Sequence, residues 1–119
     1  MEDKDKALRY NDGKPLWSLV HFPSLEPMVR VLEYGAKKYS TPNESGIDNW
    51  KKPMDKKQIL NSAMRHLVQL MEDEELDSES NLPHVGHLMC NLLFYSYHSS
   101  LCSSVKNQSL SSVEISKNR

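Results

Sequence analysis

The sequence predicts an all-α domain. Three segments repeat their apolar residues at the 3.6-residue period of a helix, no segment sustains the two-residue alternation of a strand, and turn-forming residues separate the periodic segments.

The first segment, Arg9 to Pro23, holds the turn signal Asn11-Asp12-Gly13 and then Trp17, Leu19 and Val20, and is expected to be an irregular, extended arm packing against the helices. Ser24 is placed to cap the first helix, in which Leu25, Met28, Val29, Leu32 and Ala36 form the apolar stripe. Glu26 with Arg30 and Glu33 with Lys37 supply i,i+4 pairs outside, and the helix is expected to end near Lys38. From Ser40 to Pro53, Pro42, Asn43, Gly46, Asp48, Asn49 and Pro53 make a turn-rich loop around Trp50. Asp55 followed by Gln58 resembles a capping box for the second helix, whose stripe of Ile59, Ala63, Leu67 and Leu70 runs to about Glu72. Pro83 suits the first turn of the third, with Val85, Leu88, Met89, Leu92 and Leu93 apolar through to about His98. The working domain is therefore residues 7–98, and the serine-rich residues 99–119 are expected to be a disordered tail.

Composition narrows function. The 119 residues hold 15 Lys plus Arg against 16 Asp plus Glu, a net charge of −1, which argues against gripping a nucleic-acid polymer, a task that needs a basic surface. No apolar run is long enough to span a membrane, and Met1 to Lys6 lacks the apolar core of an export signal, so the expected location is the cytoplasm. Cys90 and Cys102 are too few for a disulfide framework or a cysteine zinc site. A core of this size leaves stability marginal unless subunits share it, which predicts homo-oligomerisation.

The chemistry-bearing residues fall on the second and third helices and between them. His84, His87, Asn91 and His98 lie near one line down the third helix, and His66 shares the angular position of Ile59, Ala63 and Leu70 on the second. Imidazoles from two helices thus share a space, where they can ligate a metal, shuttle a proton, or simply sit as satisfied half-buried histidines, His84 then being a first-turn surface residue. Glu72 to Asp77 puts five carboxylates in six residues, an ordinary solvated run unless a hard cation draws Glu74 and Asp77 together. Lys37 and Lys38 close the first helix, where they complement its dipole or meet phosphate, and Arg65 adds a third cation. Trp50 beside Asn49 serves either as a plug for a small core or as a platform for a base. Glycine-rich phosphate loops, G-x-S-x-G elbows, paired C-x-x-C motifs and a His-Asp dipeptide are all absent.

Taken in order, Arg9-Tyr10-Asn11-Asp12-Gly13-Lys14-Pro15, Tyr34-Gly35-Ala36-Lys37-Lys38-Tyr39, Asn49-Trp50, Arg65-His66-Leu67, Glu74 to Asp77, and Leu82-Pro83-His84 with His87 and Asn91 resemble the dATP/dGTP diphosphohydrolase family of bacteriophages, related to the MazG-like all-α pyrophosphohydrolases. The resemblance spans about residues 8 to 97. It implies a helical bundle completed by a homodimer or higher homo-oligomer, and cleavage of a purine deoxynucleoside triphosphate to monophosphate and pyrophosphate with Mg²⁺ or Mn²⁺. In that scheme Glu74, Asp77 and His84 hold metal, and His66, His87 and Asn91 are catalytic. Lys37, Lys38 and Arg65 meet phosphate, and Asn49 and Trp50 meet the base. In a phage-encoded protein the expected location is the host cytoplasm.

Two features depart from that pattern. Arg65-His66 and His87 with Asn91 occupy helical segments where MazG-like enzymes carry E-x-x-E and E-x-x-D, and Asp73 and Asn81 stand where small residues are expected around the acidic turn. The incomplete carboxylate set keeps alternatives open: a helical protein that sequesters a nucleotide or nucleotide-like signal without turning it over, or a module that engages a host protein.

Overall fold

The computed structural model describes residues 5–107. They form three α-helices, α1 (Glu26–Lys38), α2 (Lys56–Met71) and α3 (His84–Asn107), with short 3₁₀ turns at Trp17–Leu19, Phe22–Leu25 and Asn49–Lys51. The fold is all-α. No strand forms among the described residues, where β-pairing is limited to the isolated bridges Thr41–Glu44 and Leu76–Pro83. No helix among them is long and apolar enough to cross a membrane.

Helix α3 is the centre, packing against α2 on one side and α1 on the other. The α1 crossing is close because Gly86 lacks a side chain: a Cβ there would lie 2.4 Å from the Pro27 carbonyl oxygen. Val31 of α1, Ile59 and Ala63 of α2, and Cys90 of α3 form the buried apolar core, and the Cys90 thiol donates to the Met28 carbonyl at 3.2 Å. Burial pushes that thiol up to about 12.

Local chemistry sets the boundaries. Asp55 caps α2 as expected, its carboxylate accepting from the Lys57 amide at 3.0 Å. Ser24 does not cap α1. It lies in the 3₁₀ turn that leads in, its hydroxyl paired with His21 Nδ1 at 2.6 Å, and α1 starts at Glu26 with Pro27 in its first turn, where the missing amide hydrogen costs nothing. At its far end α3 continues past His98 to Asn107, so the start of the serine-rich segment is helical. The rest of that segment, 108–119, lies outside the described residues.

The arm and the α2 stripe differ from expectation. Trp17 and Leu19 are 71% and 81% exposed, so the arm is irregular without packing its large side chains on the helices. Leu67 is exposed too, because a spacing of four accumulates angle at 100° per residue. From Ile59 to Leu67 the drift is about 80°, whereas His66 lies only about 20° away. The inner stripe is Ile59, Ala63, His66 and Leu70, while Leu60, Met64, Leu67, Val68 and Met71 form a second apolar stripe facing out.

Candidate functional site

The connection from α2 to α3 builds the site. Helix α2 ends in a Schellman turn, in which the Asp73 amide donates to the Leu70 carbonyl and the Glu74 amide to the Gln69 carbonyl at 2.9 Å. That turn needs a left-handed residue, and Asp73 supplies it at φ 63°. The chain then folds back on itself: the Asp77 amide donates to the Leu82 carbonyl, the Asn81 amide to the Asp77 carbonyl and the His84 amide to the Glu75 carbonyl, each at 2.8 Å. Asn81 provides the second left-handed position, φ 59°. The two places where the sequence lacks the expected small residues are thus the two where glycine is favoured, and Asp and Asn are the residues with side chains that tolerate this conformation best.

This loop sets Asp77 over the start of α3. His84, the first residue of α3, is 6% exposed rather than a surface residue, and its Nδ1 lies 2.8 Å from His66 Nδ1, so one ring donates a hydrogen to the other. His66 also stacks on His87, ring centres 4.6 Å apart and planes 8° from parallel. One ligand atom from each of His66, Asp77 and His84 falls within 4.8 Å of the others.

Ser80, which sequence reasoning missed, ties the cluster together. Asp77 Oδ2 accepts from the Ser80 amide at 2.8 Å and its hydroxyl at 2.9 Å. Burial pushes the Asp77 carboxyl upward, but these two donors, with His87 and His66 nearby, outweigh it and hold it below the usual carboxylate range. An ionised Asp77 requires the Ser80 hydrogen, so Ser80 Oγ accepts from its other neighbours, the Leu82 amide at 3.2 Å and His87 Nε2 at 2.6 Å. The network therefore assigns the His87 hydrogen to Nε2 and leaves Nδ1 with its lone pair. Burial lowers the pKa of both His66 and His87, keeping the rings neutral, so the 3.7 Å approach of His87 to Asp77 is not an ion pair at neutral pH.

A groove of about 700 Å³ opens beside the cluster, lined by Arg65, His66, Glu74, Asp77 and His84 together with Met64 and other α2 residues. That volume suits a small-molecule ligand. Arg65 is exposed, its guanidinium donating to Ser62 Oγ at 2.8 Å. Glu74 lines the groove outside the three-residue cluster. Lys38 pairs with Glu79, 2.7 Å away, neither residue lining the groove although Glu79 follows Ser78 of its wall, and Lys37 is exposed on the last turn of α1. The Glu79 carboxylate raises the Lys38 pKa and is itself lowered in return.

Asn91, Asn49 and Trp50 lie away from both the cluster and its groove. The Asn91 amide donates to the His87 carbonyl at 2.9 Å on its own helix and borders a separate groove with Gln58, Ile59 and Ser62. Asn49 and Trp50 line a cavity of about 130 Å³ between the 40–53 loop and the helices. The Trp50 ring is occupied there, stacked on Phe94 at 5.1 Å and edge-on to Tyr97 at 5.0 Å, and His98 Nε2 donates to the Trp50 carbonyl. Trp50 takes the role of core plug. Its loop is seated by Gly46, where a Cβ would lie 2.4 Å from the Ala36 carbonyl oxygen.

The donor set admits a divalent metal. Two imidazoles and one carboxylate suit Mn²⁺ better than Mg²⁺, which prefers an all-oxygen shell.

These features define an all-α protein with an imidazole–carboxylate centre at the α2–α3 connection. The chain belongs to the family described as dATP/dGTP diphosphohydrolase, N-terminal, which matches residues 4–105. It is also similar to a protein named dATP/dGTP diphosphohydrolase from Salmonella phage PMBT28, 28% identical over 88 residues. That match covers 74% of this chain and 28% of the phage protein, so the chain spans just over a quarter of its relative's length. No solved structure matches.

Proposed function

We propose that this chain hydrolyses a purine deoxynucleoside triphosphate, dGTP or dATP, to the monophosphate and pyrophosphate. The observation that carries the proposal is the convergence of His66, Asp77 and His84 beside a groove of nucleotide size, in a chain whose family bears that activity in its name.

In this scheme the triphosphate lies along the groove. Arg65 pairs with its phosphate oxygens, and Lys38, released from Glu79, adds charge at the flank with Lys37 beside it. His66, Asp77 and His84 would hold a divalent ion, whose chemistry is to acidify water and neutralise phosphate charge. Asp77 is kept ionised by Ser80, and His87, stacked behind His66 and not on the groove wall, is kept in one tautomer by the same hydroxyl and holds that ring in place, while the proton of the attacking water passes to solvent in the open groove. Water adds to the α-phosphorus, the bond to the bridging oxygen breaks, and pyrophosphate leaves with that oxygen. Glu74, on the groove wall, is placed to orient water or a second ion.

The outward stripe of α2 supports homo-oligomerisation. Leu60, Met64, Leu67, Val68 and Met71 are apolar and exposed beside the groove, and a second copy of α2 against them would complete a MazG-like bundle and roof the site.

Incubating purified protein with dGTP, dATP and their ribose counterparts, with Mn²⁺, with Mg²⁺ and with chelator, tests the activity. Metal-dependent release of deoxynucleoside monophosphate is expected. Tight binding of an unchanged triphosphate would instead identify a sequestering protein.

A further inference from the structure

We propose that His66, Asp77 and His84 form a centre whose resident ion is a nitrogen-accepting divalent transition metal, of the class of Mn²⁺, Fe²⁺, Co²⁺ or Zn²⁺, and not Mg²⁺. The inference deepens the hydrolase reading by naming the cofactor class of the same site, and it rests on that reading only for its biological use.

Three side chains on a common ion at about 2.1 Å must place their donor atoms within about 4.2 Å of one another, and here the three lie within 4.8 Å before any ion draws them in. The 2.8 Å between the two Nδ1 atoms is close to the roughly 3.0 Å that separates neighbouring ligands of an octahedral ion at that bond length. A shared hydrogen now occupies that contact; an ion in its place displaces the hydrogen to another ring nitrogen or to solvent.

Both Ser80 hydrogen bonds fall on Asp77 Oδ2, which leaves Oδ1 for an ion. Ser80 and His87 hold the carboxylate and the stacked His66 ring from behind, an outer shell of the kind that orients metal ligands. The α2–α3 loop, closed by its 2.8 Å backbone bonds, fixes Asp77 relative to His84 without further ordering. Two of three donors are imidazole nitrogen, which Mg²⁺ accepts poorly and transition ions accept well, with affinity rising from Mn²⁺ towards Cu²⁺. A histidine pair that served packing alone would need no carboxylate converging on it and no opening onto a groove; this one has both.

The test uses metal alone, without nucleotide. Protein stripped with chelator is titrated with Co²⁺, followed by visible absorption and calorimetry. One Co²⁺ per chain is expected, displaced by stoichiometric Zn²⁺ and undisturbed by Mg²⁺ in hundredfold excess. Asp77→Asn and His66→Gln should each weaken Co²⁺ binding about 10- to 100-fold with helix content unchanged by circular dichroism. A readout on the wild-type chain covers the case in which a variant does not fold: ring-nitrogen NMR signals of His66 and His84 should shift on adding Zn²⁺. The proposal is overturned if Co²⁺ does not bind stoichiometrically, if equimolar Mg²⁺ displaces it, if both folded variants bind it like wild type, or if those ring signals stay put. Failure of the hydrolase reading looks different: a chain that binds Co²⁺ at these residues yet leaves dGTP intact keeps this inference and loses the activity.

Discussion

His66 Nδ1 and His84 Nδ1 meet at 2.8 Å, although one residue lies on α2 and the other opens α3 after a twelve-residue acidic and polar connection. Their meeting depends on how that connection is folded, and the residue that locks it is Ser80. In Ser80→Ala, Asp77 keeps one backbone donor and loses the hydroxyl, and His87 loses the acceptor that fixes its tautomer. Activity with Mn²⁺ should fall about 10- to 100-fold while circular dichroism stays unchanged. Wild-type turnover in the folded variant would remove Ser80 from the site.

The left-handed turns carry a stability prediction. Asp73 and Asn81 hold φ of 63° and 59°, where a side chain costs about 1 kcal/mol relative to glycine, partly offset by glycine's greater freedom in the unfolded chain. Asp73→Gly and Asn81→Gly should each be neutral or stabilising, by up to about 1 kcal/mol in urea unfolding. A loss of more than about 1 kcal/mol would show that these side chains make contacts beyond the turn.

At the α1–α3 crossing the direction reverses. Gly86→Ala drives a Cβ into the Pro27 backbone, 2.4 Å from its oxygen, where nothing flexible can give way. Overpacking of this kind costs about 1–3 kcal/mol, so the urea midpoint should drop, and an unchanged midpoint would mean that the crossing is looser than described.

Leu67 tests the outward face of α2. Because it points away from α3, Leu67→Glu should leave the helices intact while disrupting association. Light scattering should give an oligomer for wild type and a single chain for the variant. A wild-type protein that is already a single chain would leave the stripe to some other partner.

Cys90 supplies a probe of the core. With Cys102→Ser as background, Cys90 is the one thiol. Its burial and its pKa of about 12 predict labelling by a thiol reagent orders of magnitude slower than for a free thiol at pH 8, reaching the free rate only after denaturation. Rapid labelling of native protein would contradict the placement of α3.

Periodicity was sufficient for the helices because each carries an apolar face long enough to define a phase. The same phase put His66 inward with Ile59 and Ala63. It misplaced Leu67, since a spacing of four imitates the helical period for one turn and leaves it after two. His98 shares the angular line of His84 but lies about 21 Å further along the helix axis, so it bonds to Trp50 instead of joining the cluster. The site was legible as a residue inventory and illegible as a geometry. Within Glu72 to Asp77 nothing local distinguishes the carboxylate that turns inward, because Asp77 is selected by backbone pairing with Leu82 and by Ser80. Ser80 looks like any loop serine until that pairing closes. Asp73 and Asn81, by contrast, were visible as positions where a small residue belongs, and their backbone conformation is the physical reason.

The proposed reaction breaks the bond between the α and β phosphates of a purine deoxynucleoside triphosphate. Phosphorus NMR of dGTP incubated with the purified chain and Mn²⁺ reads this directly. dGMP and pyrophosphate should appear together in equal amounts; orthophosphate with dGDP, inorganic triphosphate, or an unaltered dGTP spectrum would contradict the proposed cleavage.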